Sequence, residues 1–250
     1  MKKILVICSC LFVAIAAQAQ EDKHLSFGLV FDKSNDPTDE MGLGQLNGKY
    51  SAKRENLGLE VLYDITSKWR MKNIVGVTFC NSDFGLSAPQ SEMPMGEMLS
   101  EMQLSLSHAV LYNLWGWQTE DRNLRLSLNP YLELRYGHTL KGAGEKSNNG
   151  SGDLTSAETA QWVEANNLPA VNSRTKMPAY SLAATAGLQA ELVFFKHFGV
   201  FYAIGYNQSL TGHSRIDLDY IYKSNAPGYV GRSSKDAGLN HSFGLRWYIK

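Results

Sequence analysis

The chain has 250 residues, with 24 Lys or Arg against 24 Asp or Glu and a formal net charge of +0. No basic excess points to nucleic acid, and no acidic excess to a solvating tail. Charged residues are only 19% and hydrophobic ones an ordinary 44%. Soluble domains carry about a quarter charged residues, whereas strands with one apolar and one polar row give this mixture without long apolar runs.

Residues 1–19 read as a secretory signal. Lys2 and Lys3 form its charged start, Ile4 to Ala16 its apolar core, and Ala17-Gln18-Ala19 the small-x-small cleavage pattern. The mature domain, 20–250, is expected to begin at Gln20. The apolar core is too short for a spanning helix, and no later stretch offers the ~18 uninterrupted apolar residues that one needs. Cys8 and Cys10 lie in this segment. A lipidated Cys10 would have almost no apolar core before it, so the signal reading is preferred. Cys80 is then the one cysteine of the mature chain, which leaves no internal disulfide.

The first strand has Leu25, Phe27, Leu29 and Phe31 on one row, and Ser26, Gly28, Val30 and Asp32 on the other. Residues 33–55, polar and rich in Gly, Asp and Asn, read as a long loop. Leu57 to Thr66 form a second strand, and a tight Ser67-Lys68 connection leads to a third over Trp69 to Phe79. Residues 81–100 read as another long loop. The fourth strand runs from Met102 to Leu114, and a short turn at Gln118 to Asn123 leads to a fifth, from Leu124 to Tyr136. Pro130 lacks a ladder donor and predicts a bulge or a frayed bond there.

Residues 141–179 make the longest loop, in which Thr155 with Glu158 resembles a capping box for a short helix to about Asn166. The sixth strand spans Tyr180 to Phe194. Lys196-His197 turns into the seventh, with Val200, Tyr202, Ile204 and Tyr206 outward. A further long segment precedes the last strand. There Leu239, His241, Phe243, Leu245, Trp247 and Ile249 alternate with Gly238, Asn240, Ser242, Gly244, Arg246 and Tyr248.

Connections thus alternate long and short around about eight strands. Outer-membrane barrels have an even strand number, short periplasmic turns and long external loops. Aromatic residues gather near both ends: Trp69, Trp115, Trp117, Phe194, Phe198, Trp247 and Tyr248 by the short turns, and Phe79, Tyr136, Tyr180 and Tyr206 toward the long loops. The fold expected is all-β, an eight-stranded antiparallel up-and-down transmembrane β-barrel in the cell outer membrane. A soluble lipocalin-like barrel is the alternative.

Through this alternation, the loop order and the closing Gly244-Leu245-Arg246-Trp247-Tyr248, nearly the whole mature chain resembles the small eight-stranded outer-membrane β-barrel proteins of Gram-negative bacteria. The resemblance implies an outer-membrane lipid environment and a last strand read by the barrel-assembly machinery. The sequence departs from that pattern in ending Ile249-Lys250 rather than on an aromatic residue. Such barrels include stabilising, adhesive and enzymatic members, so the fold carries no activity of its own.

The inward row holds Glu60, Asp64, Arg70, Lys72, Arg125, Glu133, Arg135, Glu191 and Arg246. An eight-stranded barrel is narrow enough to be filled by its own side chains, and enclosed charges must pair. A plugging ion-pair network is therefore expected, with a narrow ion path as the alternative.

Met93, Met95, Met98 and Met102 include three at helical spacing with Leu99, which favours packing on the barrel mouth over a soft-metal site. His213, Ser214, Asp217 and Asp219 lie close in sequence, but neighbours on a strand face apart, which argues against a hydrolase site. His108 and His241 have no second His at metal spacing. Asp32, Asp36, Asp39 and Glu40 read as a solvated loop rather than a cation site. No metal or other cofactor is expected.

Ile216, Leu218, Tyr220 and Tyr222 continue the outward parity of the seventh strand. Residues 210–222 are therefore predicted to be that strand projecting beyond the membrane, with an edge for a host or matrix surface partner. The role expected is structural or surface-interacting, and not enzymatic. A lipid- or peptide-modifying surface hydrolase is the alternative.

Overall fold

The computed structural model describes residues 25–35, 38–88, 95–121, 123–141, 144–148, 157–211, 213–223, 227–234 and 237–249. The signal segment 1–19, Asp36, Met93 and Thr155 lie outside them. The elements are β1 (Leu25–Asn35), β2 (Asp39–Leu43), β3 (Leu46–Asp64), β4 (Trp69–Ser87), β5 (Met95–Tyr112), β6 (Trp115–Gln118) and β7 (Leu124–Lys141). There follow β8 (Gly144–Asn148), α1 (Ala157–Asn166), β9 (Ala170–Met177), β10 (Tyr180–Phe194), β11 (Phe198–Thr211), β12 (Arg215–Ile221), β13 (Gly228–Ser233) and β14 (Ala237–Ile249).

Eight of these strands close a barrel in the antiparallel circuit β1-β3-β4-β5-β7-β10-β11-β14 and back to β1. Phe27 stands opposite Val61 on one side and Trp247 on the other, which joins the last strand to the first. Period-two alternation then separates the two faces. Leu59 and Leu132, on the outer face, are 66% and 68% exposed, while inward Val30 and Leu111 are fully buried. Exposed apolar residues run all around the barrel, a surface that suits lipid and not water.

The short connections are tight. Ile65 to Lys68 link β3 to β4, and Phe195 to His197 link β10 to β11, with Phe195 and Lys196 both at positive φ. That left-handed pair matches the twist of the strands it joins. Pro130 produces no bulge. β5 pairs with β7 down to Tyr131, and β6 takes over at Leu128, so Pro130 falls at the handover between two neighbours. Its pairing with β10 runs on without a register shift.

The expected loops 33–55 and 81–100 are largely strand instead. β3, β4 and β5 have 19, 19 and 18 residues, against about 9–11 for a membrane crossing. About eight residues of each, roughly 26 Å, therefore stand beyond the membrane. β12 is not a continuation of β11 either. After a break at residues 213–214 it joins a second, four-stranded sheet of order β13-β12-β9-β8.

This second sheet and Val163 of α1 pack against the projecting part of β3, β4 and β5. Tyr50, Phe84, Leu86 and Leu99 meet Met177, Ile216, Leu218 and Val230 in one apolar core. On β3 the inward row thus changes along its length, polar at Glu60 and Asn56 within the lumen and apolar at Tyr50 and Leu46 in the outer cap. A Ser173–Glu97 hydrogen bond of 2.7 Å ties the cap to β5, and an Arg232–Asp39 ion pair of 3.3 Å ties it to β2, the hairpin partner of β3.

Candidate functional site: the filled lumen and the outer cap

Arg246 of β14 points into the lumen, its side chain fully buried. Its Nε and Nη2 donate to Glu60 on β3, its Nη1 to Glu191 on β10 at 2.6 Å, and its Nη2 also to Gln189 at 3.2 Å. Its guanidinium carbon is 3.9 Å from the centre of the Phe201 ring. Arg70 Nη1 donates to the other Glu191 oxygen at 2.7 Å, and the Tyr248 hydroxyl also donates to Glu191.

A second layer has Lys72 at 3.4 Å from Glu133 and over the Tyr131 ring. Arg135 bridges Glu133 at 2.9 Å and Asp32 at 2.7 Å. Asp32 also accepts from Asn56 at 3.0 Å and from the Ser242 hydroxyl. Inward glycines make room for the large groups. A Cβ on Gly205 would lie 2.7 Å from the Tyr131 hydroxyl, and one on Gly244 would strike the Phe201 ring.

Of the nine inward charges singled out in the sequence, Glu60, Arg70, Lys72, Glu133, Arg135, Glu191 and Arg246 meet in these pairs. Asp64 lies opposite Arg70 at the periplasmic end of the β3–β4 ladder. Arg125 sits over the Tyr248 ring at 5.3 Å, without a carboxylate partner among the described residues. Sequence reasoning missed Asp32, grouping it with an acidic loop, although its place beside Ser26, Gly28 and Val30 already marked it as inward. Tyr248, assigned to the aromatic girdle, is likewise an inward residue, 5% exposed.

The outer cap corrects the proposed binding edge. Ile216 and Leu218 are fully buried, Tyr222 is 4% exposed, and Tyr220 packs against the same core. β12 is paired on both sides, by β9 and β13, so these four side chains hold the cap together. The face of β12 turned to solvent carries charge instead. Asp217 accepts from Arg215 Nε at 2.8 Å and from the Tyr229 hydroxyl at 2.7 Å, and Arg174 pairs with Asp219 at 3.2 Å. The hydrogen bonds from Arg215 to Asp217 and Tyr229 raise the pKa of that guanidinium further above its ordinary value.

The other sequence candidates do not converge. His213 is exposed, Ser214 is buried against Ser234 at 3.2 Å, and no described hydrogen bond joins His213 to Ser214, Asp217 or Asp219. The helical turn expected for the methionines is strand, which points Met95 inward to the cap core and leaves Met98 68% exposed on the opposite face. His108 meets Asn73 at 2.5 Å and His241 meets the Tyr202 hydroxyl at 2.6 Å, each across a strand pair on the outer face. Asp39 pairs with Arg232 and Glu40 with Lys49. Among the described residues no group of three His, Cys, Asp or Glu is arranged to hold a metal ion.

Among solved structures, the outer membrane protein OprG from Pseudomonas aeruginosa matches at TM-score 0.51 and 13% identity, over 90% of this chain and 95% of that one. The fold is that of a bacterial outer-membrane β-barrel. The apolar outer band places the barrel in that membrane. A major outer membrane protein from Thermus thermophilus covers 90% of this chain and 99% of its own at TM-score 0.34 and 10% identity, too distant to carry an argument. No protein-family model matches the chain, and no curated protein does.

Proposed function

We propose that the chain is a non-enzymatic surface protein, in which a filled barrel anchors an outer cap that meets partners outside the cell. The observation that supports this reading is the second apolar core beyond the membrane, built from β3, β4 and β5 with the sheet of β9, β12 and β13. A barrel needed only as a membrane staple has no use for strands of 19 residues or for a folded layer above them. The partner surface is the cap's solvent face, with Arg174, Asp219, Arg215, Asp217 and Tyr229, rather than the buried row of β12.

The filled lumen favours this reading over a narrow ion path. Arg246, Glu60, Glu191, Lys72 and Glu133 are each at most 4% exposed, and every one of them has a charged partner. Purified protein in a planar bilayer is expected to give no steady conductance; stable single-channel steps would overturn the filled-lumen reading. Cells displaying the protein are expected to adhere to host or matrix surfaces, and Arg174→Glu with Tyr229→Ala to remove that adhesion while the barrel still assembles. Equal adhesion with and without the protein would sink the surface-interaction role.

A further inference from the structure

The periplasmic end of the lumen holds a cavity of about 270 Å³, room for several waters at about 30 Å³ each or for one small molecule. Arg70 reaches its wall from β4 and Arg125 from β7, Asn113, Ser67 and Ser127 also line it, and Asp64 is its one carboxylate among the described residues. Arg70 is 7% exposed. Its Nη1 is committed to Glu191 and its Nε–H is covered by protein, as is that of Arg125; no described hydrogen bond takes up Nη2 of Arg70 or either terminal nitrogen of Arg125.

Deeper in this lumen Arg135 and Arg246 reach carboxylates. Over the Tyr248 ring, the Arg125 head is held in place by an aromatic face that offers no lone pair to its Nε–H. Two guanidinium donors on one small cavity match the acceptors of an oxyanion.

We propose that this cavity binds a small oxyanion from the periplasmic side, through a phosphate or carboxylate group. The terminal nitrogens of Arg70 and Arg125 hold the anionic oxygens. Asp64 opposes the anion and limits its affinity. This site stands apart from the outer cap and does not depend on the role proposed for it.

The test is a titration of the mature protein in dodecyl maltoside micelles with inorganic phosphate, followed at the indole N–H resonance of Trp117, which lines the cavity. A saturable shift is expected, absent with chloride at equal ionic strength. Arg125→Gln should weaken binding at least tenfold, Asp64→Asn should tighten it, and Lys196→Gln, on the exposed turn, should leave it unchanged. A non-saturating shift shared with chloride, indifference to Arg125→Gln, or weaker binding in Asp64→Asn would each overturn the site. If Arg125→Gln fails to assemble, the sign of the Asp64→Asn effect decides alone. Nanodiscs of phosphatidylglycerol against phosphatidylcholine separate the sources: competition by the first assigns the site to a lipid headgroup, and its absence to a soluble oxyanion.

Discussion

Replacing Arg246 with methionine removes the guanidinium that joins three strands of the lumen. Glu60 is 1% exposed and has Arg246 as its one ion-pair partner among the described residues. Glu191 loses the same partner but keeps Arg70. One carboxylate is stranded in a dry interior, and a second is left half paired. Breaking a buried pair from one side costs about 3–5 kcal/mol, and a loss in that range is expected here. Adding Glu60→Gln removes the stranded charge, so the two substitutions should couple by about 1–3 kcal/mol. Urea unfolding of the barrel in detergent micelles, followed by tryptophan fluorescence, measures both quantities. A single variant within about 0.5 kcal/mol of the parent, the range of an indifferent surface change, would refute the reasoning, as would strictly additive effects.

Gly244→Val would drive a side chain into the Phe201 ring, with the Leu29 carbonyl oxygen only 2.7 Å from the new Cβ. Overpacking of about 1–3 kcal/mol should lower the temperature at which the barrel loses its fast gel mobility, and an unchanged midpoint would contradict a closely filled lumen. Leu218→Asp puts a charge at a fully buried cap position; protease on intact cells should then cut the cap while the heat-dependent gel shift persists. A cap as resistant as the parent's would contradict an outer core. Asp121, in the periplasmic turn before β7, accepts from the Thr119 hydroxyl and from the Asn123 backbone, which hold its carboxyl below the ordinary value. Because the folded-state pKa is depressed, the stabilisation is present above the unfolded carboxyl pKa and is lost as pH falls through the folded one. Carboxyl carbon resonances should show Asp121 titrating below a free aspartate, and Thr119→Val should move it up.

Strand number, the inward and outward rows and the circuit of the barrel were legible in the sequence because a strand's side-chain period is fixed at two. Lipid outside and polar contents inside make each row uniform in character across the membrane. Inward charge was legible for the same reason, but pairing was not. Arg135 and Asp32 are 103 positions apart and Arg246 and Glu60 are 186 apart, and only closure of the sheet in one register brings them together.

Parity also carries no information about height above the membrane. Ile216 and Leu218 alternate as lipid-facing residues do, and Tyr50, Phe84 and Leu99 sit on rows that are polar further down. Whether an apolar residue meets lipid or another protein layer depends on how far its strand runs past the bilayer and on what folds back over it. The sequence by itself determined a barrel and its two faces, through the backbone's period and the contrast between lipid and water. The tertiary structure alone decided which charges neutralise one another and that a second core stands outside the membrane, because both depend on contacts between segments distant in the chain.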